Sequence, residues 1–277
     1  MTSRIAIIAG SGRFPFHVAQ EAKRQGAVLV AIGIQGWADA TLASHVEAYE
    51  ELPVGQIGRI IKQLKSWDVR QAVMAGKVTK HVLVNGRTAF DLRALSLLGR
   101  VKEFSVPVLL GAIGQMLADE GITLLDSSTF LKESLCPLGV LTARAPTAAE
   151  QTDMQLGLRV ARALAALDVG QTVLVKNAVV VAVEALEGTD AAIQRAQTLA
   201  GGGLVMVKTA SPNQDRRFDL PIIGMETIAH LAASGGACLS VEAGTTLLLD
   251  RDALIASANA AKLCLVGVSP ESLSASS

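Results

Sequence analysis

Aromatic side chains make up only 3% of the 277 residues, cysteine occurs three times, and neither sign of charge dominates, since 25 Lys and Arg stand against 25 Asp and Glu. Each scarcity excludes a class. Three cysteines cannot staple a disulfide scaffold, and Cys136, Cys238 and Cys264 form no CxxC pair or metal-ligand spacing, so reduced core residues are expected. A net charge of zero lacks the basic excess of a nucleic-acid binder. Apolar residues reach 50%, too many for a disordered chain. Long hydrophobic runs are missing too: Ala178 to Val183 stops at Glu184, far short of the ~20 residues that a membrane span requires. Arg4 is followed only by Ile5 to Ala9 before a glycine loop, which is no secretory leader, and a cytoplasmic protein is expected.

What is present is aliphatic mass enough for two cores, at a prior of roughly 150 residues per domain. The zero net charge hides an asymmetry: residues 1–135 hold 15 basic against 12 acidic side chains, and residues 136–277 hold 10 against 13. Between Arg70 and Lys102 seven basic residues (Arg70, Lys77, Lys80, Arg87, Arg93, Arg100 and Lys102) face one acid, Asp91. Such a stretch attracts phosphates or acidic headgroups, or else is a solvated basic helix face.

The first half alternates strand and helix signals. Ile5 to Ala9 ends in Gly10-Ser11-Gly12, Phe16 to Gln25 reads as a helix stopped by Gly26, and Ala27 to Ile34 as a second strand. Ile57, Ile60, Ile61 and Leu64 recur at helical spacing, Ala72 to Ala75 reads as a third strand, and Val108 to Glu120 as a helix before Ile122 to Leu125. Repeated βα units predict a Rossmann-like parallel sheet with helices on both faces over residues 1–135. The pattern loosens from Asp126 to Pro146, so a boundary is placed near residue 136. In residues 136–277 a mixed α/β domain is expected. Thr147 to Glu150 is a capping box opening a helix, Gln171 to Lys176 and Val179 to Glu184 form a hairpin around Asn177-Ala178, and a helix runs from Asp190 to Ala200. Strands are expected at Leu204 to Lys208, Cys238 to Val241, Thr246 to Leu249 and Leu263 to Val266.

Two groups of residues could carry chemistry. Gly10-Ser11-Gly12 sits where a dinucleotide fold keeps its phosphate loop, and Gly76-Lys77 follows a strand at the equivalent edge, where Lys77 could meet a phosphate. As a nicotinamide signature the loop is incomplete, with Pro15 in place of the third glycine and no acid after Ile34-Gln35-Gly36; a dinucleotide oxidoreductase is the alternative it leaves open. In the second half Glu184, Glu187 and Asp190 crowd a strand end and helix start, and Asp215 and Asp219 lie in the loop behind Lys208. Carboxylates in flexible loops suit Mg²⁺ with a substrate phosphate, and Lys208, Arg216 and Arg217 could offset a diphosphate. Helix-dipole stabilisation by Asp190 and an Asx contact by Asp215 are the plainer readings. His17, His45, His81 and His230 are scattered without pairing, and no Gly-x-Ser-x-Gly elbow occurs.

Six phrases bring a family into view: Ile7 to Pro15, Met74 to Val78, Gly139 to Thr147, Leu167 to Gln171, Val183 to Asp190 (with Glu187-Gly188-Thr189-Asp190) and Gln214 to Pro221. In this order they resemble the LpxI-type UDP-2,3-diacylglucosamine pyrophosphatases of lipid A biosynthesis. The chain departs from that pattern at Thr79-Lys80 and at Ala210-Ser211-Pro212. The resemblance implies Mg²⁺-dependent hydrolysis of UDP-2,3-diacylglucosamine to UMP and 2,3-diacylglucosamine 1-phosphate by a metal-activated water. It also implies a homodimer at the cytoplasmic face of the inner membrane. On it, Asp219 and Asp215 are expected in metal binding or water activation, with Asp190 as a further metal ligand and Glu187 beside it. Lys208, Arg216 and Arg144 are expected on phosphate charge, and Gly10, Ser11, Gly12, Gly76, Lys77, Thr147 and Thr189, again with Arg144, on the substrate. A non-catalytic carrier of sugar nucleotide or lipid is the remaining alternative.

Overall fold

The structure, a computed structural model, describes residues 4–78, 89–100, 106–211, 215–218 and 220–269. Of these, 4–132 and 215–218 form one compact unit, and 133–211 and 220–269 a second.

In the first unit, β1 (Arg4–Ala9) leads into α1 (Phe14–Arg24), then β2 (Val28–Ile34), β3 (Ala48–Leu52), α2 (Ile57–Ser66), β4 (Val69–Ala75), α3 (Leu92–Arg100), α4 (Val106–Asp119) and β5 (Thr123–Leu124). The strands lie in the order β3-β2-β1-β4-β5, every neighbour parallel. This is the expected doubly wound sheet. The aliphatic runs of β1 and β2 are buried on both faces because helices cover both: α2, α3 and α4 pack over Ala6, Ile8, Val30 and Ile32, while α1 packs against β1, β2 and β4.

Strand β3 and helix α3 of the first unit went unread in the sequence. Strand β3, Ala-Tyr-Glu-Glu-Leu, is an edge strand that keeps polar residues half in solvent, so it lacks the continuous apolar run of its neighbours. Helix α3 begins at Asp91, the one acid of the basic stretch, whose carboxylate accepts from Ala94 N at 2.9 Å and from Gly58 N at 2.6 Å, near the starts of two helices. The basic stretch is also not one helix face. Arg70 stands at the start of β4 and Lys77 beyond its end, roughly 20 Å apart at strand rise, and Arg93 on α3 pairs with Glu120. Lys80, Arg87 and Lys102 lie outside the described residues, as does His81.

The second unit holds β6 (Gly139–Val140), α5 (Ala148–Ala166), β7 (Thr172–Lys176), β8 (Val179–Val183), α6 (Thr189–Ala200), β9 (Val205–Lys208), β10 (Ile222–Ile223), α7 (Met225–Ala233), β11 (Cys238–Glu242), β12 (Leu247–Leu248), α8 (Arg251–Ala260) and β13 (Cys264–Val268). Its main sheet runs β6-β13-β11-β9-β7-β8. The β13-β11-β9 centre is parallel, β6, β7 and β8 join antiparallel, and β10 and β12 pair separately. One face, with Leu174, Met206, Leu239 and Leu265, is covered by α6, α7 and α8, and the other, with Val175, Val205 and Val207, by α5. The capping box forms: Thr147 Oγ1 accepts from Glu150 N at 3.2 Å and the Glu150 carboxylate from Thr147 N at 2.8 Å. The hairpin turns at Asn177 and Ala178, with φ of 52° and 59°, a left-handed pair that a non-glycine residue adopts at a cost. Asp153, buried on α5, offsets that cost by accepting from Asn177 N at 3.0 Å and Ala178 N at 2.6 Å.

Asp153→Ala removes the acceptor of both turn amides. At about 0.5–1.5 kcal/mol per lost hydrogen bond to an exposed turn and roughly 2–4 °C per kcal/mol for a chain of this size, calorimetry should register a melting temperature lower by about 2–12 °C.

Candidate active-site residues and their surroundings

In the first unit the chain reverses winding direction between β1 and β4, and a doubly wound sheet collects ligands at the carboxyl ends of its strands there. The structure brings Gly10, Ser11, Gly76 and Lys77 together at that point. Gly10 N donates to Ala75 O at 2.8 Å, and Ser11 and Lys77 exchange backbone bonds of 2.9 and 3.0 Å. The Ser11 hydroxyl also donates to Lys77 O at 3.0 Å. The glycines follow from this closeness. A Cβ at Gly10 would stand 2.6 Å from Lys77 O, and one at Gly76, whose φ is +92°, 2.7 Å from Ser11 O. The two loops therefore brace one another, with the Ser11 amide and hydroxyl spent on Lys77. The Lys77 side chain is exposed, and Gly12 turns the chain into α1.

By contacts, residues 215–218 of the Gln214 to Asp219 loop group with the first unit. Their anchorage is explicit. Arg216 Nε pairs with Asp126 at 2.9 Å, Ser127 N donates to Arg216 O at 2.9 Å, and the Ser127 hydroxyl lies 2.8 Å from Arg217 O and 2.9 Å from Met74 O. Phe218 packs against the first core, with the Arg217 guanidinium 4.8 Å over its ring. Asp215 is taken up by Arg217, at 2.9 Å to Nε and 2.6 Å to Nη2. These bonds hold its carboxyl below the usual range despite partial burial. Asp219 lies outside the described residues.

In the second unit the carboxyl ends of β9, β11 and β8 meet the amino end of β7 along one edge. Lys208, nine-tenths buried, closes β9 there. Its ammonium donates to Thr189 Oγ1 at 3.0 Å and Thr172 Oγ1 at 3.2 Å and stands 3.8 Å from Glu184 Oε2. Thr189 in turn donates to Glu184 Oε1 at 2.7 Å. Burial opposes the charge on Glu184, but Lys208 beside it, with the Thr172 and Thr189 hydroxyls and the Gln171 backbone, holds the carboxyl below its ordinary value. On the opposite face of the same edge, buried Glu242 accepts from the Thr209 hydroxyl at 2.5 Å, with Arg162 at 3.8 Å. Thr172, Glu242 and Thr209 were not singled out from the sequence. The available signal was register, because residues ending adjacent parallel strands share an edge, but that needs the strand order first.

The other expected site residues are held differently. Asp190, at the start of α6, lies 3.0 Å from His230 Nδ1 of α7. Glu187 binds Arg195 at 2.7 Å and its own loop amide at Ala185. Arg144, expected on phosphate, makes a bidentate pair with Glu150 (2.8 and 3.0 Å) and donates to Lys262 O and Ala237 O; Thr147 is spent on the helix cap. Among the described residues no three His, Cys, Asp or Glu side chains cluster as a metal site. Asp215 is committed to Arg217 and Asp190 faces His230, and Asp219, the third expected ligand, lies outside the described residues. As carboxylates, Asp215 and Asp190 are of the donor type that Mg²⁺ takes. No described helix is long and apolar enough to cross a membrane.

Comparison with known proteins covers the chain nearly end to end. The LpxI N-terminal domain family matches residues 4–134 and the LpxI C-terminal domain family residues 137–266. The UDP-2,3-diacylglucosamine pyrophosphatase LpxI of Caulobacter vibrioides is 30% identical over 280 residues, 97% of this chain and 98% of its own. Among solved structures, the biotin carboxylase domain of the Hydrogenobacter thermophilus 2-oxoglutarate carboxylase aligns at 12% identity over 72% of this chain and 41% of that one, with a TM-score of 0.27. A Campylobacter jejuni biotin carboxylase aligns at 13% identity over 72% and 42%, also with a TM-score of 0.27. At such scores the likeness carries no argument.

The lowered position of Glu184 fixes a pH dependence. A carboxyl that titrates lower in the folded than in the unfolded chain stabilises the fold above its ordinary value of 4.5, and that contribution is lost as pH falls through the folded value. Melting temperature recorded from pH 6 downward, points chosen about that ordinary value, should therefore fall below about pH 4.5 and fall less steeply in Glu184→Gln.

Proposed function

Because the chain belongs to the LpxI family, we propose that it is a hydrolase that cleaves the diphosphate of UDP-2,3-diacylglucosamine to UMP and 2,3-diacylglucosamine 1-phosphate. The relative bearing that activity in its name aligns over almost the whole of both chains. The single observation that carries the reading is Lys208, an ammonium buried at a strand end beside the amino terminus of α6. Hydrolysis adds water to one phosphorus and breaks its bond to the bridging oxygen, which leaves with negative charge. A fixed cation and a helix amino terminus in a water-poor site stabilise that charge more than bulk solvent can. Lys208 is assigned this role, with Thr189 beside it on the substrate. The paired loops at Gly10 to Gly12 and Gly76-Lys77 are assigned to the nucleotide end, at the switch point where such sheets bind ligands.

Asp219, next in sequence to the anchored Phe218, is assigned to water activation on the family resemblance. Mg²⁺ belongs to the proposal on the same ground; when bound, such an ion screens phosphate charge and makes water more acidic. A homodimer and a peripheral seat at the inner face of the inner membrane complete it.

Purified protein given UDP-2,3-diacylglucosamine and Mg²⁺ should release UMP, and chelation should stop it. Lys208→Met, checked for folding by circular dichroism, should lower the rate by about 10²–10³-fold, the usual effect of deleting one charge-stabilising donor. Binding of the lipid nucleotide without UMP under any divalent ion would replace hydrolysis by carriage.

A further inference from the structure

Glu184 has no role in the chemistry assigned above, yet its placement is costly. Its Oε2 is buried with the Lys208 ammonium as its ion-pair partner but no hydrogen bond of its own, and such a buried oxygen calls for a physical reason. The geometry around it supplies one. Glu184 Oε2 stands 3.8 Å from the Lys208 ammonium, close enough for strong attraction at low dielectric but beyond hydrogen-bond contact. The connection runs instead through Thr189, which donates to Glu184 Oε1 at 2.7 Å. A hydroxyl has one proton, so this bond turns the Thr189 oxygen lone pairs toward Lys208, which donates to it at 3.0 Å. The backbone is fitted to the arrangement. Gly170 passes so near that a Cβ there would lie 2.0 Å from Glu184 O, and Glu184 N donates to Thr172 O at 2.8 Å, which keeps Thr172 in place as the second acceptor from Lys208.

We infer that Glu184 is a positioning residue: through Thr189, and by its charge in an ion pair at 3.8 Å, it holds the Lys208 ammonium aimed along the carboxyl edge of the sheet. This rests on the hydrolase reading for what Lys208 does, though not for how Lys208 is held. Charge and shape make opposite predictions, which two substitutions separate. Glu184→Asp keeps the charge and shortens the reach; Glu184→Gln keeps the shape and an acceptor for Thr189 but removes the charge.

With UDP-2,3-diacylglucosamine, Glu184→Gln should lose about 10–10²-fold in kcat with KM changed less than about threefold, the pattern of an interaction made in the transition state. Glu184→Asp should retain more of kcat than Glu184→Gln. Equal or better activity of Glu184→Gln would show a structural acceptor and overturn the inference. A second readout needs no substrate. Trace labelling of lysines with acetic anhydride, read by mass spectrometry, should modify Lys208 several-fold faster in Glu184→Gln, because removing the opposite charge disfavours the ammonium form. Unchanged Lys208 labelling would also overturn it. Failure of the hydrolase reading is seen separately, as absence of UMP from the unsubstituted protein.

Discussion

An ammonium buried at the end of a strand stays charged only if its surroundings replace the water it has lost. Desolvating one ion costs several kcal/mol even after relaxation, and Lys208 is nine-tenths buried. Among the described residues, its replacement shell draws on Thr172 opening β7, Glu184 beyond β8, and Thr189 opening α6. These segments must therefore lie together. The antiparallel attachment of β7 to β9 sets Thr172 opposite Lys208, and the hairpin to β8 returns the chain so that Glu184 bonds back to Thr172. The turn of that hairpin depends on Asp153 of α5. One buried charge thus ties together helix, hairpin and sheet order of the second unit.

The first unit is organised by backbone groups instead. Its switch-point loops meet through main-chain bonds between Ser11 and Lys77 that tolerate no Cβ at Gly10 or Gly76. Residues 215–218, which lie more than eighty positions beyond the rest of the unit in the sequence, attach through Asp126, Ser127 and the packing of Phe218. The Ser127 hydroxyl, within reach of both Arg217 O and Met74 O, links that segment to the end of β4. The carboxylate and guanidinium groups of the Asp215-Arg216-Arg217 run are thereby largely engaged by the anchorage itself.

Legibility in the sequence followed burial and locality. Strands β1 and β2, helix α2, the capping box and the 177–178 turn were readable, because continuous apolar runs, helical spacing and turn chemistry are written in adjacent residues. Strand β3 was not, since an edge strand keeps polar residues and imitates a loop. The partners of Arg144 and Thr147 within the fold were not readable either, since a sequence phrase shows residue type but not partner: Arg144 pairs with Glu150, and Thr147 caps a helix.

By itself the sequence determined the alternation of elements, two apolar cores, the glycine loops and the family, all of which depend on residues near one another along the chain. Tertiary structure alone decided that Asp190 meets His230, that residues 215–218 build the first unit, and that Glu184 stands behind Lys208 through Thr189. Those pairings depend on strand order and crossover connections, which bring distant residues to one sheet edge and leave no local pattern to read.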